Sequence, residues 1–253
     1  MPATTLIELD GLRHEYDEVP GSDDRAPLLF LHEGLGSVGL WRGFHRRIAA
    51  ATGRRTVAYS RLGHGRSDRP AGPRTPSFLA EEAAVVVPAL CAALGLDRPI
   101  LVGHSDGGTI ALLAAARLDV TAVVALAPHV LVEPFALTEI RAARTAFESG
   151  DLRTRMARHH DDPDAAFRGW NDMWLAPDFR DWDVRDSLSG ITAPVLGIQG
   201  DDDPYGSIVH LREVADRAAG PVTITELGCG HSPHLELPDD TADAITGFLA
   251  GLP

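Results

Sequence analysis

The chain contains no lysine: all 23 of its basic residues are arginine. Schiff-base chemistry, with pyridoxal phosphate or in a lysine aldolase, needs a primary amine, so that class is excluded. The bias itself reads as genomic codon usage. Cysteine is almost as scarce. Cys91 and Cys229 are too few for a disulfide framework and have no metal-ligand spacing, which makes a reducing, cytoplasmic setting the expectation. Long apolar runs are missing, and none approaches the roughly 20 residues that span a bilayer. The opening stretch "MPATTLIELDGLRHEYDE" has no basic segment followed by an apolar core, so no secretory signal is expected. Positive charge is also short. A formal net charge of −13 argues against nucleic acid and anionic membranes as partners, because both require a basic footprint. What is present is ordinary globular composition, 44% hydrophobic and 23% charged over 253 residues, enough for one large domain with a buried core. The expected partner is a small-molecule substrate. Monomer and homo-oligomer both remain open.

Short β-rich runs alternate with helical patterns. "PLLFL" (27–31), "TVAYS" (56–60), "PILV" (99–102), "AVVAL" (122–126), "PVLGI" (194–198) and "VTITEL" (222–227) suit parallel strands buried on both faces. Between them lie helix-like stretches such as "WRGFHRRIAAAT" and "TIALLAAARL", and "TLIEL" with "LRHEY" reads as an antiparallel lead-in hairpin. Alternation of this kind predicts an α/β fold, a mostly parallel wound sheet with helices on both faces. One region departs from it. Residues 134–188 show only helical pattern and hold Trp170, Trp174 and Trp182, so they are expected to form an inserted helical cap over a core made of 1–133 and 189–253. Pro88 inside "FLAEEAAVVVPALCAALGL" should kink or break its helix.

The stretch "GHSDGG" (103–108) sets one serine among glycines between a strand and a helix. A strand–Gly-x-Ser-x-Gly–helix turn forces the serine into a strained conformation, and the glycines are needed where neighbouring chains leave no room for Cβ atoms. The turn lifts the hydroxyl above the carboxyl edge of the sheet, where ligands bind in wound α/β folds. Serine alone is a weak nucleophile and needs a base and an orienting acid. "QGDDDPYG" and "GCGHSPHLELP" each follow a later strand and supply candidates for both.

With "HEGLGS", "SRLGHGRSD", "GHSDGG", "GDDDP" and "GHSPHLELP" in this order, nearly the whole chain resembles the α/β-hydrolase superfamily. The resemblance implies Ser105 as nucleophile, and Gly-x-x-Asp from Gly200 selects Asp203 as the acid, with Asp202 the alternative. It also favours His231 as the base, because that histidine directly follows a glycine; His234 competes and is otherwise expected to support the loop. The backbone amides of Gly34 and Asp106 would form the oxyanion hole, leaving the Asp106 side chain free of a catalytic duty. No cofactor and no metal are implied.

The sequence departs from that family in two places. Relatives commonly read His-Gly at the oxyanion loop, where this chain reads His32-Glu33-Gly34. Where relatives often read Asp-x-Arg-Gly-x-Gly-x-Ser, "SRLGHGRS" puts Ser60 in place of the aspartate and moves the arginine to Arg61. A carboxylate facing a developing oxyanion would raise the barrier, so the expectation is a Glu33–Arg61 ion pair fixing the oxyanion loop, or else an exposed Glu33. "RHHDDPD" (158–164) reads as a solvated helix end rather than a metal cluster. Trp170 and Trp174, four apart on one helical face, read as cap core or as walls of an apolar pocket. Cys229 and Trp41 read as packed residues.

These features point to a serine hydrolase for a small carboxylic ester or related acyl compound. A C–C hydrolase or lyase on the same triad, or a ligand-binding homologue without turnover, is the alternative, since this fold does not fix function. A dehalogenase is disfavoured because serine holds the nucleophile position.

Overall fold

A computed structural model describes residues 5–253, so the first four residues of the expected core segment lie outside the described residues. Eight strands form one sheet in the order β1-β2-β4-β3-β5-β6-β7-β8. The hairpin β1 (Thr5–Leu9) and β2 (Leu12–Val19) is antiparallel, and β2 joins β4 (Thr56–Tyr59) antiparallel. From β4 onward every pairing is parallel, through β3 (Leu28–Leu31), β5 (Ile100–His104), β6 (Ala122–Leu126), β7 (Val195–Gly200) and β8 (Val222–Leu227).

The central strands are β-branched and leucine-rich because both of their faces are covered. Alternate residues enter different cores. Leu28, Phe30, Ile100, Val102, Val124 and Ile198 pack with α1 (Phe44–Thr52) and the C-terminal helix Pro238–Leu249. Leu29, Leu31, Val57, Leu101, Val123 and Ala125 face the other side. Packed there are α2 (Phe78–Glu81), α3 (Val87–Leu94) and α4 (Asp106–Ala115), with Leu79, Leu90 and Ile110 fully buried.

Pro88 does not break its segment. Between α2 and α3 the hydrogen bonding widens to a π-helical turn over Glu82–Val86, and the backbone stays right-handed helical on either side. A wider turn accommodates the missing N–H and the ring without ending the helix. The expected helix from Trp41 is also interrupted. Arg42 and Gly43 take left-handed conformations, φ 48° and 84°, so α1 starts at Phe44.

Between β6 and β7 the chain runs through α5 (Ala136–Ser149), α6 (Leu152–Met156), α7 (Pro163–Trp174) and two short 3-10 turns. Phe147 and Phe167 stack at 3.9 Å between ring centres. Asn171, fully buried, donates to the Ile140 carbonyl at 2.7 Å and accepts from Arg144 at 2.6 Å, which locks α5 to α7. The remaining helices are α8 (Val209–Arg217), α9 (Pro233–Glu236) and α10 (Pro238–Leu249). Among the described residues no helix is long and apolar enough to cross a membrane.

Candidate active site

Ser105 sits between β5 and α4 with φ 53° and ψ −119°, a region that costs a non-glycine residue on the order of 1–3 kcal/mol. Its flanking glycines are dictated by crowding. A Cβ on Gly103 would lie 2.1 Å from the Gly107 carbonyl oxygen, and one on Gly107 would lie 2.0 Å from that of Leu31. The Ser105 amide donates to Leu126 at the end of β6, anchoring the turn across the sheet. The serine is 6% exposed.

His231, from the loop after β8, brings its Nε2 to 2.9 Å from the Ser105 Oγ, and its Nδ1 lies 2.8 Å from Asp203 Oδ2. An ionised carboxylate only accepts, so Nδ1 carries the proton and Nε2 offers its lone pair to the serine. Asp203, from the loop after β7, is 1% exposed at its side chain and also accepts from Gln199 Nε2 at 2.7 Å and from the Tyr205 amide at 2.8 Å. Burial pushes its carboxyl upward, but the His231 ring and the Tyr205 amide outweigh that and hold it below its ordinary value. Asp201 and Asp202 are exposed. His234 lies away from the serine, packed against Trp41 at 4.9 Å and His104 at 4.8 Å between ring centres, and burial lowers its pKa to about 3.

The loop after β3 is built to turn its amides inward. Four consecutive carbonyls are each held from outside by a side chain. Arg61 donates to the carbonyls of His32 and Glu33, the latter at 2.8 Å and shared with His32 Nδ1 at 2.7 Å. His64 Nε2 donates to Gly34 at 2.9 Å, and His160 Nε2 donates to Leu35 at 2.9 Å. Their other ring nitrogens accept: His32 from the Arg61 amide at 3.0 Å, His160 from the Gly65 amide at 3.0 Å, and His64 from Arg74 at 3.1 Å. Burial comes first among the causes that lower the pKa of all three rings, which keeps them neutral and able to accept. Among the described residues, the Gly34 and Asp106 amides donate to no protein group. Gly34 must be glycine because a Cβ there would lie 2.2 Å from Trp170 Cδ1.

The expected Glu33–Arg61 ion pair does not form. The Arg61 guanidinium is occupied by the two backbone carbonyls and lies 3.9 Å from Asp106 Oδ2. The Glu33 carboxylate turns the other way, folding over Gly36 to 3.7 Å from His104 Nδ1. The solvated helix end expected for "RHHDDPD" is also corrected at one residue: His160 is buried and ties this segment to the Gly65 and Leu35 backbones. Among the described residues, no three of His, Cys, Asp and Glu converge as a metal set.

Trp170 and Trp174 are buried in the packing of α7 and also line a cavity of about 190 Å³ that contains Ser105 and His231. Trp174 Nε1 donates to Asp106 Oδ1 at 3.2 Å. Burial pushes the Asp106 carboxyl up, against the pull of Arg61 and Arg74. Three further residues carry no sequence signal for their placement here. His104 Nε2 donates to the His231 carbonyl at 2.7 Å; His129 and Tyr205 complete the cavity wall, with His129 donating to the Tyr205 carbonyl at 3.0 Å. Cys229 and Trp41 are buried, as expected for packed residues.

A strained serine at a strand–helix elbow, with histidine and aspartate on later loops of one sheet edge, is the arrangement of a wound α/β hydrolase. Residues 28–244 match the family model described as the alpha/beta hydrolase family, and the chain belongs to that family. A human (lyso)-N-acylphosphatidylethanolamine lipase is 38% identical over 93 residues, 36% of this chain and 26% of that protein. A proline iminopeptidase of Lactobacillus delbrueckii subsp. lactis is 36% identical over 90 residues, 36% of this chain and 31% of that one. These matches thus span about a third or less of the length of either relative. The enol-lactonase from Burkholderia xenovorans LB400 superposes with a TM-score of 0.75 at 21% identity, covering 97% of this chain and 100% of the other. The last of these similarities speaks to the fold alone.

Proposed function

We propose that this hydrolase cleaves a small carboxylic ester or related acyl compound through an acyl-enzyme on Ser105. The observation that carries the reading is the unbroken hydrogen-bond chain from Asp203 through His231 to the Ser105 Oγ, at 2.8 and 2.9 Å. The Ser105 Oγ attacks the carbonyl carbon while His231 Nε2 takes its proton, and Asp203 fixes the tautomer and stabilises the imidazolium. The Gly34 and Asp106 amides receive the oxyanion; removing one such donor typically costs on the order of 10²–10³ in turnover. His231 returns its proton to the leaving oxygen, then activates water for attack on the acyl-enzyme. Arg61, His64 and His160 act through the loop carbonyls and His104 through the His231 backbone, so these four are positioning residues. The helices of 134–188 serve as the cap, with Trp170 and Trp174 as both its core and the pocket wall.

A cavity of about 190 Å³ suits a short acyl group. On a panel of p-nitrophenyl esters from acetate to decanoate, the wild type is expected to turn over the short members, and Ser105→Ala to lose that turnover by at least about a thousandfold. Equal rates in both proteins would remove Ser105 from the mechanism.

A further inference from the structure

Glu33 and His104 meet behind the groups that the chemistry needs. Glu33 immediately precedes Gly34, His104 immediately precedes Ser105, and His104 Nε2 holds the His231 carbonyl at 2.7 Å. The Glu33 carboxylate folds back over Gly36 and lies 3.7 Å from His104 Nδ1. The loop is shaped to seat it there. Glu33 and Gly36 close a turn through a backbone hydrogen bond of 3.0 Å, and a Cβ on Gly36 would collide with the Glu33 carboxylate and the His32 Cβ. The second glycine of "HEGLGS" thus makes room for the carboxylate.

Both ring nitrogens of His104 face groups that can only accept, a backbone carbonyl at Nε2 and an ionised carboxylate at Nδ1. A neutral ring has one proton to offer and would point a lone pair at one of them. His104 is buried, and among the described residues its Nδ1 has no hydrogen-bond partner, so no other group offers that lone pair a proton. A proton on Nδ1 turns repulsion with the carboxylate into an ion pair. The other titratable rings facing His104 are His231 and His234, at 5.0 and 4.8 Å between centres. His234 is kept neutral by burial and then by His104, which bring its pKa to about 3. Glu33 is held ionised: burial opposes its charge, yet His104 and then His234 bring its pKa down to about 2.

We propose that Glu33 and His104 form a carboxylate–imidazolium pair, and that through it Glu33 is a positioning residue for His231. The doubly protonated ring joins two loops, with Nδ1 tied to Glu33 in the loop after β3 and Nε2 tied to the His231 backbone in the loop after β8. The Gly34 amide, the Ser105 hydroxyl and the His231 ring are thereby referred to one contact. As a whole the pair is neutral, so it anchors His231 without opposing the imidazolium that forms there. The departure from His-Gly at this loop acquires a use, because glutamate supplies a partner that glycine lacks. The effect on catalysis rests on the serine-hydrolase reading, but the charge state of the pair does not.

Ring-nitrogen NMR of histidine-labelled protein, assigned through the backbone, reads that charge state directly. At neutral pH His104 is expected to carry protons on both nitrogens, and in Glu33→Gln on Nε2 alone. A bare Nδ1 in wild type overturns the inference, as does a second proton that survives Glu33→Gln. Positioning is read without turnover from the His231 Nδ1 proton, which should exchange with water several-fold faster in Glu33→Gln; unchanged exchange removes the positioning role. On the ester panel, Glu33→Gln should lower kcat by about ten- to a hundredfold with KM changed far less. It should add little to the loss already caused by His104→Gln, whereas losses that multiply would mean that Glu33 does not act through His104. If no ester is turned over while His104 is doubly protonated and Glu33→Gln loosens the His231 proton, the hydrolase reading falls and the pair stands.

Discussion

Asp203 and Asp202 are neighbours in a run of three identical residues, and their surroundings decide between them. The Asp203 side chain is buried and accepts from His231, Gln199 and the Tyr205 amide, whereas Asp202 is exposed. Asp203→Asn replaces an acceptor of the Nδ1 proton by a group that can present a donor, which favours the wrong tautomer at His231. Its kcat should fall by around 10⁴, while Asp202→Asn should stay within a few-fold of wild type. Similar losses in both would reassign the acid. The Gly-x-x-Asp spacing from Gly200 points to the same residue, because glycine spacing and strand-end position are local properties. The direction of the Glu33 side chain was not legible. Arg61 is the nearest arginine in the motif, but backbone carbonyls at 2.8 Å compete for its donors, and that competition depends on how two loops meet in space.

The parallel strands show in the sequence as apolar, β-branched runs because each is covered on both faces, and the glycines of the elbow show because Cβ atoms are excluded there. Elements whose shape depends on contacts read less well. Pro88 signals a break, yet a π-turn keeps the helix going because Val87, Leu90 and Cys91 stay packed on the core. The loop after β3 is the clearest case. Its carbonyls at His32, Glu33, Gly34 and Leu35 are held by side chains from residues 32, 61, 64 and 160, and the last of these comes from a stretch that reads as solvated. Adjacent histidines followed by acids carry no mark of which ring will be buried. Only the packing of the 134–188 helices against the loop after β4 reveals it.

Across the whole molecule, many histidines are buried and held neutral, with His129 and His234 lowered to about 3. Below pH ~6.5 the unfolded chain binds protons that these two rings refuse in the folded state, so stability falls as pH falls, by up to about 1.4 kcal/mol per pH unit for each of the two. The carboxyls of Glu33 and Glu133, lowered to about 2, act in the same direction below pH ~4.5, since their stabilising ionised forms are lost on acidification. The midpoint of thermal unfolding should therefore drop steeply between pH 6.5 and 4, by the account above; a flat profile would mean that these rings titrate as if exposed. On the proposed reading, the part of this network around Ser105 holds a nucleophile ready at the carboxyl edge of the sheet. The most direct test is the intact mass of the protein after reaction with a fluorophosphonate, with the modified peptide sequenced. A single adduct on Ser105, formed by wild type and strongly slowed in His231→Ala, is the predicted result. No adduct on Ser105, or one formed as fast without His231, would contradict the account.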